Sequence, residues 1–444
     1  MSAPAILDRT REELKGHISE ARARTDELFR AVCPDALYDR PIPERHRIIF
    51  YVGHLEAFDW NLLAARAFGL TPFNKSFDQL FAFGIDPVHG ALPADKPSDW
   101  PDRSEVKGYS QLGRDILDAA IERWSNTGSG HPNTTQMLQV AIEHRLMHAE
   151  TLAYMLHQLP LDRKVRPPIL AAPSAQRGKP REKSRMTKIP AGSVTLGLRR
   201  SPGTFGWDNE FEAHEVAVPE FSIGIHNVTN GDFLKFIDAC GYEHRSLWTD
   251  EDWTWKEENN IRQPALWSQN GNLWTYRSMF QKIALPLDWP VYVSYAEASA
   301  YARWLGKALP TEAQFHRAAY GTPEGFERKY PWGDEMPREH HGNFDFQGWD
   351  LVPAGSFPGG ASAFGVQDLV GNGWEWTGTV FGPFEGFTPF SFYPGYSADF
   401  FDGRHYVLKG ASPRTAACLL RRSFRNWFQA HYPYAYATFR CVEN

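Results

Sequence analysis

The feature that most constrains the fold is a basic stretch at residues 163–188, which separates two segments of different texture. It carries nine Lys or Arg residues, one Glu and several Pro and Ala residues, which is typical of a solvated interdomain linker. Before it, apolar residues recur at helical intervals, and after it, short strand-like runs alternate with turns rich in Gly, Pro, Asn and Asp. A chain of 444 residues is also too long for one ordinary core. We therefore expect a helical domain at 1–162 and a second domain at 189–444.

Apolar periodicity and capping residues predict four helices in the first segment. They cover roughly residues 6–35, 39–69, 104–126 and 133–160. The last begins at Asn133, a favourable N-cap residue, while residues 70–103 hold many Pro, Gly and Asp residues and are predicted to form a long loop. Four consecutive helices favour an up-and-down bundle, a fold that builds metal sites from inward-facing side chains. In the second segment, one clear helix is predicted over 295–305.

Two histidines, His144 and His148, lie four residues apart in the last predicted helix. That spacing places both imidazoles on one helix face, one turn apart, where they can bind one divalent metal ion. The pair alone is weak support for a site, because such spacing also arises by chance. His54 lies in the middle of the second predicted helix among apolar residues; a lone buried histidine is usually a core residue, but here it can face the other two. Three imidazoles with open coordination positions suit iron or zinc.

Composition argues against several classes of function. The net charge of −6 argues against a nucleic-acid partner, and no run of about eighteen apolar residues predicts a membrane span. The four cysteines are widely spaced, offer no zinc motif, and indicate a reduced, cytoplasmic location. They are Cys33, Cys240, Cys418 and Cys441. The start of the chain has no apolar region typical of a secretion signal.

Seven short motifs follow one another along the second segment. They are IPAG at 189–192, NVTN at 227–230, PVYVS at 290–294, LPTEA at 309–313, YPWGD at 330–334, GNGWEWT at 371–377 and FRC at 439–441. On these motifs the segment resembles the formylglycine-generating-enzyme (sulfatase-modifying factor) family. The resemblance implies an irregular α+β fold related to C-type lectins, so the whole chain is expected to be multidomain, α followed by α+β.

The first segment resembles the DinB-like four-helix bundle. With His54 and the pattern His144-x3-His148-x-Glu150, followed by the second domain, the chain resembles the ergothioneine-pathway sulfoxide synthases. The resemblance implies a non-haem iron enzyme that uses O2 to join a sulfur donor to the imidazole C2 of hercynine (Nα-trimethylhistidine). It implies Fe(II) held by His54, His144 and His148, with Glu150 in a supporting role, and small-molecule substrates: hercynine, a thiol or selenol donor, and O2. Whether a structural calcium ion is also bound is left open.

Residues that bind substrate are also implied by this resemblance. Arg425, Asn426 and Trp427 match a family segment in which the Asn and the Trp help to hold the trimethylated histidine. Trp427, with Phe428 beside it, suits a quaternary ammonium through cation–π attraction, although packing in a lectin-like core is the plainer role for such rings. Phe83 and Met147 complete the predicted substrate-binding residues.

The chain departs from the family at three places. Phe81 is followed by Ala82 and Phe83 where relatives carry a tyrosine pair. The stretch FGPFE at 381–385 stands where others have a proton-donating tyrosine, so Tyr393 and Tyr396 become the candidate proton donors. Members that use γ-glutamylcysteine carry arginines after the long loop, whereas residues 86–93 read DPVHGALP. A cysteine-type donor and the selenosugar of the selenoneine synthase branch both stay open.

Three other functions are less well supported. A formylglycine-generating oxidase would need paired copper-binding cysteines near the C-terminus, but Cys418 and Cys441 are far apart. A non-catalytic lectin-like binding protein would need no histidine triad. A thiol-dependent metalloenzyme of the bacillithiol type shares the bundle but usually lacks the second domain.

Overall fold

The computed structural model describes residues 3–82, 92–124, 133–167, 185–201 and 203–443. The chain divides into two compact units, Met1–Pro167 and Pro168–Asn444. Most of the predicted linker, residues 168–184, lies outside the described residues. Among the helices that are described, none is both long and apolar enough to cross a membrane.

The first unit is helical. Its α-helices are α1 (Ala3–Arg30), α2 (Ile48–Asp59), α3 (Lys75–Leu80), α4 (Arg103–Arg123) and α5 (Thr134–Gln158). The four long helices lie where the apolar periodicity predicts them, and α1 packs on α5 while α2 packs on α4. Nineteen of the 25 residues of α5 are buried, charged residues and histidines among them, so this helix is the centre of the unit.

The predicted start of the second helix, near residue 39, is wrong. Residues 39–47 are not helical, and Arg47 occupies the N-cap position of α2 with an extended backbone. Two prolines, Pro41 and Pro43, disfavour the helical conformation of the residues before them. The side chain of Arg47 also donates to the carbonyl of Tyr38 at 2.7 Å and to Asp95 at 2.8 Å, which holds this segment in place.

The helix containing α2 continues beyond Asp59 in a wider form. Residues Trp60–Ala67 form a π-helical segment, in which the backbone bonds five residues apart. It ends before Gly69, which has a φ of 66°, so the predicted end is confirmed. The first predicted helix ends earlier than expected, at Arg30, because Pro34 begins a separate 3-10 turn.

The predicted long loop at 70–103 contains a short helix that periodicity did not reveal. This helix, α3, begins after Asn74, whose side chain accepts a hydrogen bond from the Phe77 amide at 3.1 Å. Six residues are too few for a periodic pattern to be read with any certainty. Residues 83–91 lie outside the described part of the chain.

The second unit combines short strands with four short α-helices among its described residues. The helices are α6 (Asn230–Asp238), α7 (Asp250–Glu258), α8 (Tyr295–Trp304) and α9 (Glu312–Tyr320). The strands are β1 (Met186–Ile189), β2 (Gly192–Leu196), β3 (His214–Val218), β4 (Phe221–Gly224), β5 (Trp267–Asn270), β6 (Leu273–Arg277), β7 (Lys282–Ala284), β8 (Gly373–Val380), β9 (His405–Ala411), β10 (Asn426–Gln429), β11 (Ala437–Thr438) and β12 (Val442–Glu443). The helix predicted over 295–305 is confirmed as α8, capped by Ser294 and Glu297.

These strands pair mostly in antiparallel fashion. The sheet orders are β10-β9-β8-β11, β1-β4-β12 and β5-β6-β7, with β2 and β3 forming a hairpin. Only β11 is parallel to its described neighbour, β8. A core cluster beneath them includes Ile189, Val194, Ile223 and Phe315. Short strands bounded by turns therefore produce a mixed, irregular fold, as the sequence predicts.

A buried ion pair joins two of the sequence motifs. Glu375 lies in β8 and Arg440 just before β12, and neither side chain is exposed. The two guanidinium–carboxylate contacts are both 2.6 Å long, a bidentate geometry that is among the strongest available to side chains. The same arginine donates to the carbonyls of Gly224 and Gln367 at 2.9 Å. This contact joins the motifs at 371–377 and 439–441 in the folded unit.

Candidate metal centre

Three histidines of the first unit meet in its interior. His54 comes from α2, and His144 and His148 come from α5; all three are buried, with 4–6% exposure. One ring nitrogen from each lies within 4.8 Å of the other two, and the Nε2 atoms of His144 and His148 are 3.1 Å apart. The structure therefore brings together the three residues that the sequence predicts as ligands; we call them the histidine cluster.

The orientation of His54 is fixed by a backbone carbonyl. Its Nδ1 lies 2.7 Å from the Phe81 oxygen, which can only accept, so Nδ1 carries the proton and donates. In the neutral ring, Nε2 is then left with a free lone pair for a metal ion. Gly53 allows the close approach behind this bond, because a Cβ there would lie 2.5 Å from ring carbons of Phe81.

All three imidazoles are held in their neutral form. Burial lowers the pKa of His54 to about 4. Burial also lowers the pKa of His144 and of His148 well below the ordinary value, and the neighbouring histidines lower these pKa values further. A metal ion binds the neutral imidazole, so the ligands need no deprotonation at neutral pH.

The donor set fits a divalent transition metal. Imidazole nitrogen suits Fe, Zn, Cu and Ni. Two nitrogens bound at about 2.1 Å and at roughly a right angle lie about 3 Å apart, which agrees with the 3.1 Å between His144 and His148. Three protein ligands also leave coordination positions for substrates. Iron(II) itself is implied by the family resemblance rather than selected by this geometry.

Aromatic rings enclose the histidine cluster. Phe58 stacks on His144 with 3.5 Å between ring centroids and 9° between planes. Phe50 stacks on His54 at 4.9 Å, and Tyr51 lies 6.0 Å from His148. The sequence places these rings on α2, but which of them face the histidines becomes visible only in the structure.

A buried ionic network lies beside the cluster, and sequence reasoning missed it. Arg145, which follows His144, contacts Glu56 and Asp59 of α2 at 3.0 and 2.7 Å. Burial opposes ionisation of Glu56, but Arg145 and Arg114 outweigh it and lower its pKa to about 2. The signal for this network was the presence of charged residues inside two strongly apolar helices.

A second group with potential metal ligands lies in the other unit. Glu335, His340 and His341 bring ligand atoms within 4.8 Å of one another, but only His341 is buried. The Nδ1 atom of His341 accepts a hydrogen bond from the Arg338 amide at 3.1 Å, so in the neutral ring its Nε2 carries the proton. That tautomer has no free nitrogen for a metal ion, and we do not assign a site here.

Two predicted residues of the second unit belong to one aromatic cluster. Trp427 of β10 stacks on Phe381 at 4.2 Å and meets Tyr396 edge-on at 5.4 Å and Phe400 at 5.5 Å. Tyr396 stacks in turn on Trp207 at 3.8 Å. We call Trp207, Phe381, Tyr396, Phe400 and Trp427 the aromatic cluster. Its members come from separate stretches of the chain, so no local pattern announces it.

The other predicted residues of this region have different surroundings. Tyr393 lies 5.6 Å from Tyr396. The side chain of Asn426 accepts from the Trp427 amide at 2.9 Å. Phe428 stacks on Tyr432 at 5.1 Å, and successive residues of a strand face opposite sides, so Phe428 does not share a face with Trp427.

Arg425 has a structural environment. It is 3% exposed, and its Nε donates to Glu312 at 3.0 Å. Its guanidinium also lies over the rings of Phe381 and Phe384 and donates to the Gly382 carbonyl at 3.0 Å. These contacts favour support of the aromatic cluster over direct contact with substrate.

A buried carboxylate lies behind the aromatic cluster. Asp208, next to Trp207, is fully buried and accepts a hydrogen bond from the hydroxyl of Ser397. Burial raises the pKa of Asp208 to about 6. Because Ser397 follows Tyr396, this bond fixes the backbone that carries the Tyr396 ring.

Three further predictions concern residues elsewhere. Phe83 lies outside the described residues. Met147 is half-buried on α5, and Glu150 is buried two positions after His148, where helical geometry places it on a different side of the helix. The supporting role of Glu150 and the substrate contact of Met147 stay predictions.

Two protein-family models match the chain. The sulfatase-modifying factor enzyme 1-like domain matches residues 172–444, and the DinB superfamily matches residues 17–152. The larger match covers more than half of the chain and the second unit, and the smaller one covers the histidine-bearing helices.

Three relatives named for hercynine oxidation or ergothioneine biosynthesis are similar over much of the chain. The hercynine oxygenase of Mycolicibacterium thermoresistibile is 37% identical over 65% of this chain and 64% of its own. The hercynine oxygenase of Mycolicibacterium smegmatis is 36% identical over 65% of this chain and 67% of its own. Ergothioneine biosynthesis protein 1 of Neurospora crassa is 28% identical over 95% of this chain and 56% of its own. The match thus spans less than two thirds of two of these three relatives. With both family models matched, this similarity to hercynine oxygenases and the three histidines assembled, the chain belongs to the ergothioneine-biosynthetic sulfoxide synthase family.

Proposed function

We propose that the protein is a non-haem Fe(II) enzyme that uses O2 to form a bond between a sulfur or selenium donor and the imidazole C2 of hercynine. The observation that carries the proposal is the histidine cluster, with three buried nitrogens within 4.8 Å. The similarity of the chain to two hercynine oxygenases supports the choice of hercynine as the substrate. The enzyme is expected to work in the cytoplasm, and a structural calcium ion stays a prediction.

The residues of the first unit prepare the site for a metal. Iron, when bound, would supply Lewis acidity toward the donor and redox chemistry toward O2. His54 is oriented by the Phe81 carbonyl, and burial keeps all three rings neutral. Phe58, stacked on His144, limits rotation of that ring and excludes water from one side.

The aromatic cluster is our candidate for the hercynine-binding residues of the second unit. A quaternary ammonium has no hydrogen to donate, so it is recognised by the faces of aromatic rings. Trp427 and Tyr396 are half-buried, which leaves part of each ring accessible to a ligand. Tyr396 and Tyr393 are the candidate proton donors, and the hydroxyl of either would deliver its proton to a polar atom of the substrate.

A binding test separates this proposal from a non-catalytic lectin-like protein. Anaerobic titration of the full chain with Fe(II) should give one iron per chain, and His144→Ala should abolish that stoichiometry. If iron does not bind stoichiometrically, or binds His144→Ala equally well, the enzyme proposal fails.

A selenosugar donor is the second candidate, and one sequence feature favours it. Residues 86–93 contain no arginine, whereas a donor with two carboxylates would be held best by bidentate guanidinium groups. A neutral selenosugar has no such requirement, and cysteine needs it less than γ-glutamylcysteine does.

A substrate panel decides between the donors. The protein is incubated with Fe(II), O2 and hercynine, and with cysteine, γ-glutamylcysteine or a selenosugar separately. Mass spectrometry identifies any hercynine adduct, and the donor that gives one names the branch of the family. If no donor yields an adduct while iron is bound, the hercynine assignment is wrong.

A further inference from the structure

Arg145 makes several contacts from α5 to α2. It follows His144 directly, and only 2% of its side chain is exposed. Its Nη2 donates to the Leu55 carbonyl at 3.0 Å and to Asp59 at 2.7 Å. Its two terminal nitrogens each lie 3.0 Å from an oxygen of Glu56. One guanidinium group therefore contacts three residues of the neighbouring helix.

These contacts lie at the level of the histidine cluster. Leu55 and Glu56 come directly after His54, and Asp59 lies one turn further along α2. On α5, Arg145 lies in the turn that carries both other histidines. The contacts thus join the two helix turns from which all three predicted ligands project.

The geometry of a guanidinium group makes such contacts restrictive. Hydrogen bonds tolerate only a few tenths of an ångström in length and weaken steeply with angle, and the planar fork of an arginine is preorganised for several acceptors. Apolar packing between helices is not directional. The Arg145 contacts therefore fix the rotation and separation of α2 and α5 more tightly than packing would.

The α2 side of these contacts is itself fixed to the rest of the bundle. Arg114 of α4 donates to Glu56 at 2.7 Å, and it also contacts Asp26 of α1 through two bonds of 2.8 Å. Glu56 is therefore bound from α4 as well as from α5, and only the second of these contacts reaches a helix that carries the other two histidines.

The charge of Arg145 is compatible with a neighbouring metal cation. An uncompensated guanidinium beside the cluster would repel a divalent ion. Here Glu56 and Asp59 face the same guanidinium at 3.0 and 2.7 Å. The arginine can thus set the helix geometry without adding net positive charge beside the ligands.

We propose that Arg145 is a positioning residue for the metal site, which holds His54 at the distance from His144 and His148 that a shared metal ion requires. This inference rests on the proposed function, because it presumes that the histidine cluster binds a metal. Metal–ligand distances must be met within about 0.2 Å, so a small change in helix separation is enough to weaken binding.

The test uses Co(II) as a spectroscopic probe of the full-length protein under anaerobic conditions. Three variants are compared with the wild type: Arg145→Met, Arg145→Lys, and Arg114→Met as the matched control. Arg114→Met also removes an ion pair of the buried Glu56. Unlike Arg145, the Arg114 side chain joins α4 to α1 and α2 and not to α5. Measured quantities are the Co(II) dissociation constant, the visible absorption spectrum of bound Co(II), and the thermal unfolding of the metal-free protein.

We expect Arg145→Met and Arg145→Lys to raise the Co(II) dissociation constant about 10- to 100-fold, as loss of groups that orient ligands does elsewhere. The spectrum should change as well. Arg114→Met should lower the unfolding temperature yet leave the dissociation constant within about threefold. If Arg145→Met does not fold, Asp59→Asn, which keeps the shape but weakens one contact, should still raise the dissociation constant several-fold.

Two results would overturn the inference. The first is a Co(II) affinity and spectrum in folded Arg145→Lys equal to those of the wild type, since the lysine keeps the charge but lacks the fork. The second is equal loss of affinity in Arg114→Met and Arg145→Met, which would mark a general loosening of the bundle. Failure of the wild type to bind Co(II) would instead remove the proposed metal function itself.

Discussion

The histidine cluster and the aromatic cluster are built in opposite ways. The first takes its three residues from two long helices, and every member is buried. The second takes five rings from strands and loops between residues 207 and 427, and several of them, including Trp427 and Tyr396, are half-buried. Helical spacing brings together two of the three histidines in the first, whereas only tertiary contacts assemble the second.

This difference predicts how each cluster should respond to substitutions. A metal ion needs ligand positions accurate to a few tenths of an ångström, and buried, directional contacts provide them. A quaternary ammonium is held by ring faces over a range of distances, so a partly open set of rings suffices. Changes in the first cluster should therefore be nearly all-or-none, and changes in the second should be graded.

Loss of a ligand is the largest expected effect. His148→Ala should weaken anaerobic Fe(II) binding by more than about 100-fold, because removal of a direct ligand exceeds the 10- to 100-fold typical of supporting groups. Isothermal titration with Fe(II) measures this. The double variant His340→Ala/His341→Ala is the control, and it should bind iron like the wild type. Loss of iron binding in the control would instead show that the metal site lies in the second unit.

The variant Arg425→Met tests whether Arg425 supports the aromatic cluster or contacts the substrate. Arg425→Met leaves Glu312 buried without its closest partner, so it should destabilise the second unit by about 4 kcal/mol. For a unit of this size, that corresponds to a fall of roughly 8 °C in the unfolding temperature by calorimetry. An unchanged unfolding temperature together with a higher KM for hercynine would make Arg425 a substrate-binding residue after all.

The variant Asp208→Asn tests how burial of the Asp208 carboxyl group, which lies next to Trp207 of the aromatic cluster, affects stability. Its pKa is raised to about 6, so the folded state holds the proton more tightly than the unfolded state. Its contribution to stability therefore falls as pH rises from about 4 to about 6, and the cost persists above that range. Asp208→Asn stays neutral and should be more stable than the wild type at pH 8 by about 3 kcal/mol. Denaturant unfolding at pH 4 and pH 8 measures the stability difference between this variant and the wild type. An equal difference at both pH values would contradict the raised pKa of Asp208.

The smallest expected effect concerns Trp427, the ring that we propose to contact hercynine. Trp427→Leu should raise the KM for hercynine about tenfold, because a cation–π contact contributes on the order of 1–2 kcal/mol, while Fe(II) affinity stays unchanged. Phe428→Leu is the matched control, since that ring stacks on Tyr432 instead, and its KM should stay within about twofold. Equal effects of the two variants would mean that the sheet as a whole, rather than the Trp427 face, is perturbed.

The contrast between the clusters also explains what the sequence could predict. His144 and His148 are close in the chain, so helical geometry alone brings them together, and His54 required only a facing helix. Trp427 was found through a family motif, but Trp207 and Phe381 could not be, because nothing local links them to it. Arg425 is predicted to bind substrate from the same family segment, and that segment does not reveal its buried partner Glu312, which lies 113 positions away. The start of α2 was misplaced because prolines near residue 41 also fit a helical first turn.

Gly53 couples the orientation of His54 to the position of Phe81, the residue that follows α3. Since a Cβ at this position would lie 2.5 Å from Phe81, position 53 accepts no larger residue while the Phe81 carbonyl still bonds His54. Whatever displaces Phe81 thereby alters the electron density that His54 offers a metal, and thermodynamic linkage makes the influence reciprocal. Metal binding and the position of Phe81, which precedes the residues 86–93 that bear on the choice of donor, are therefore expected to depend on each other.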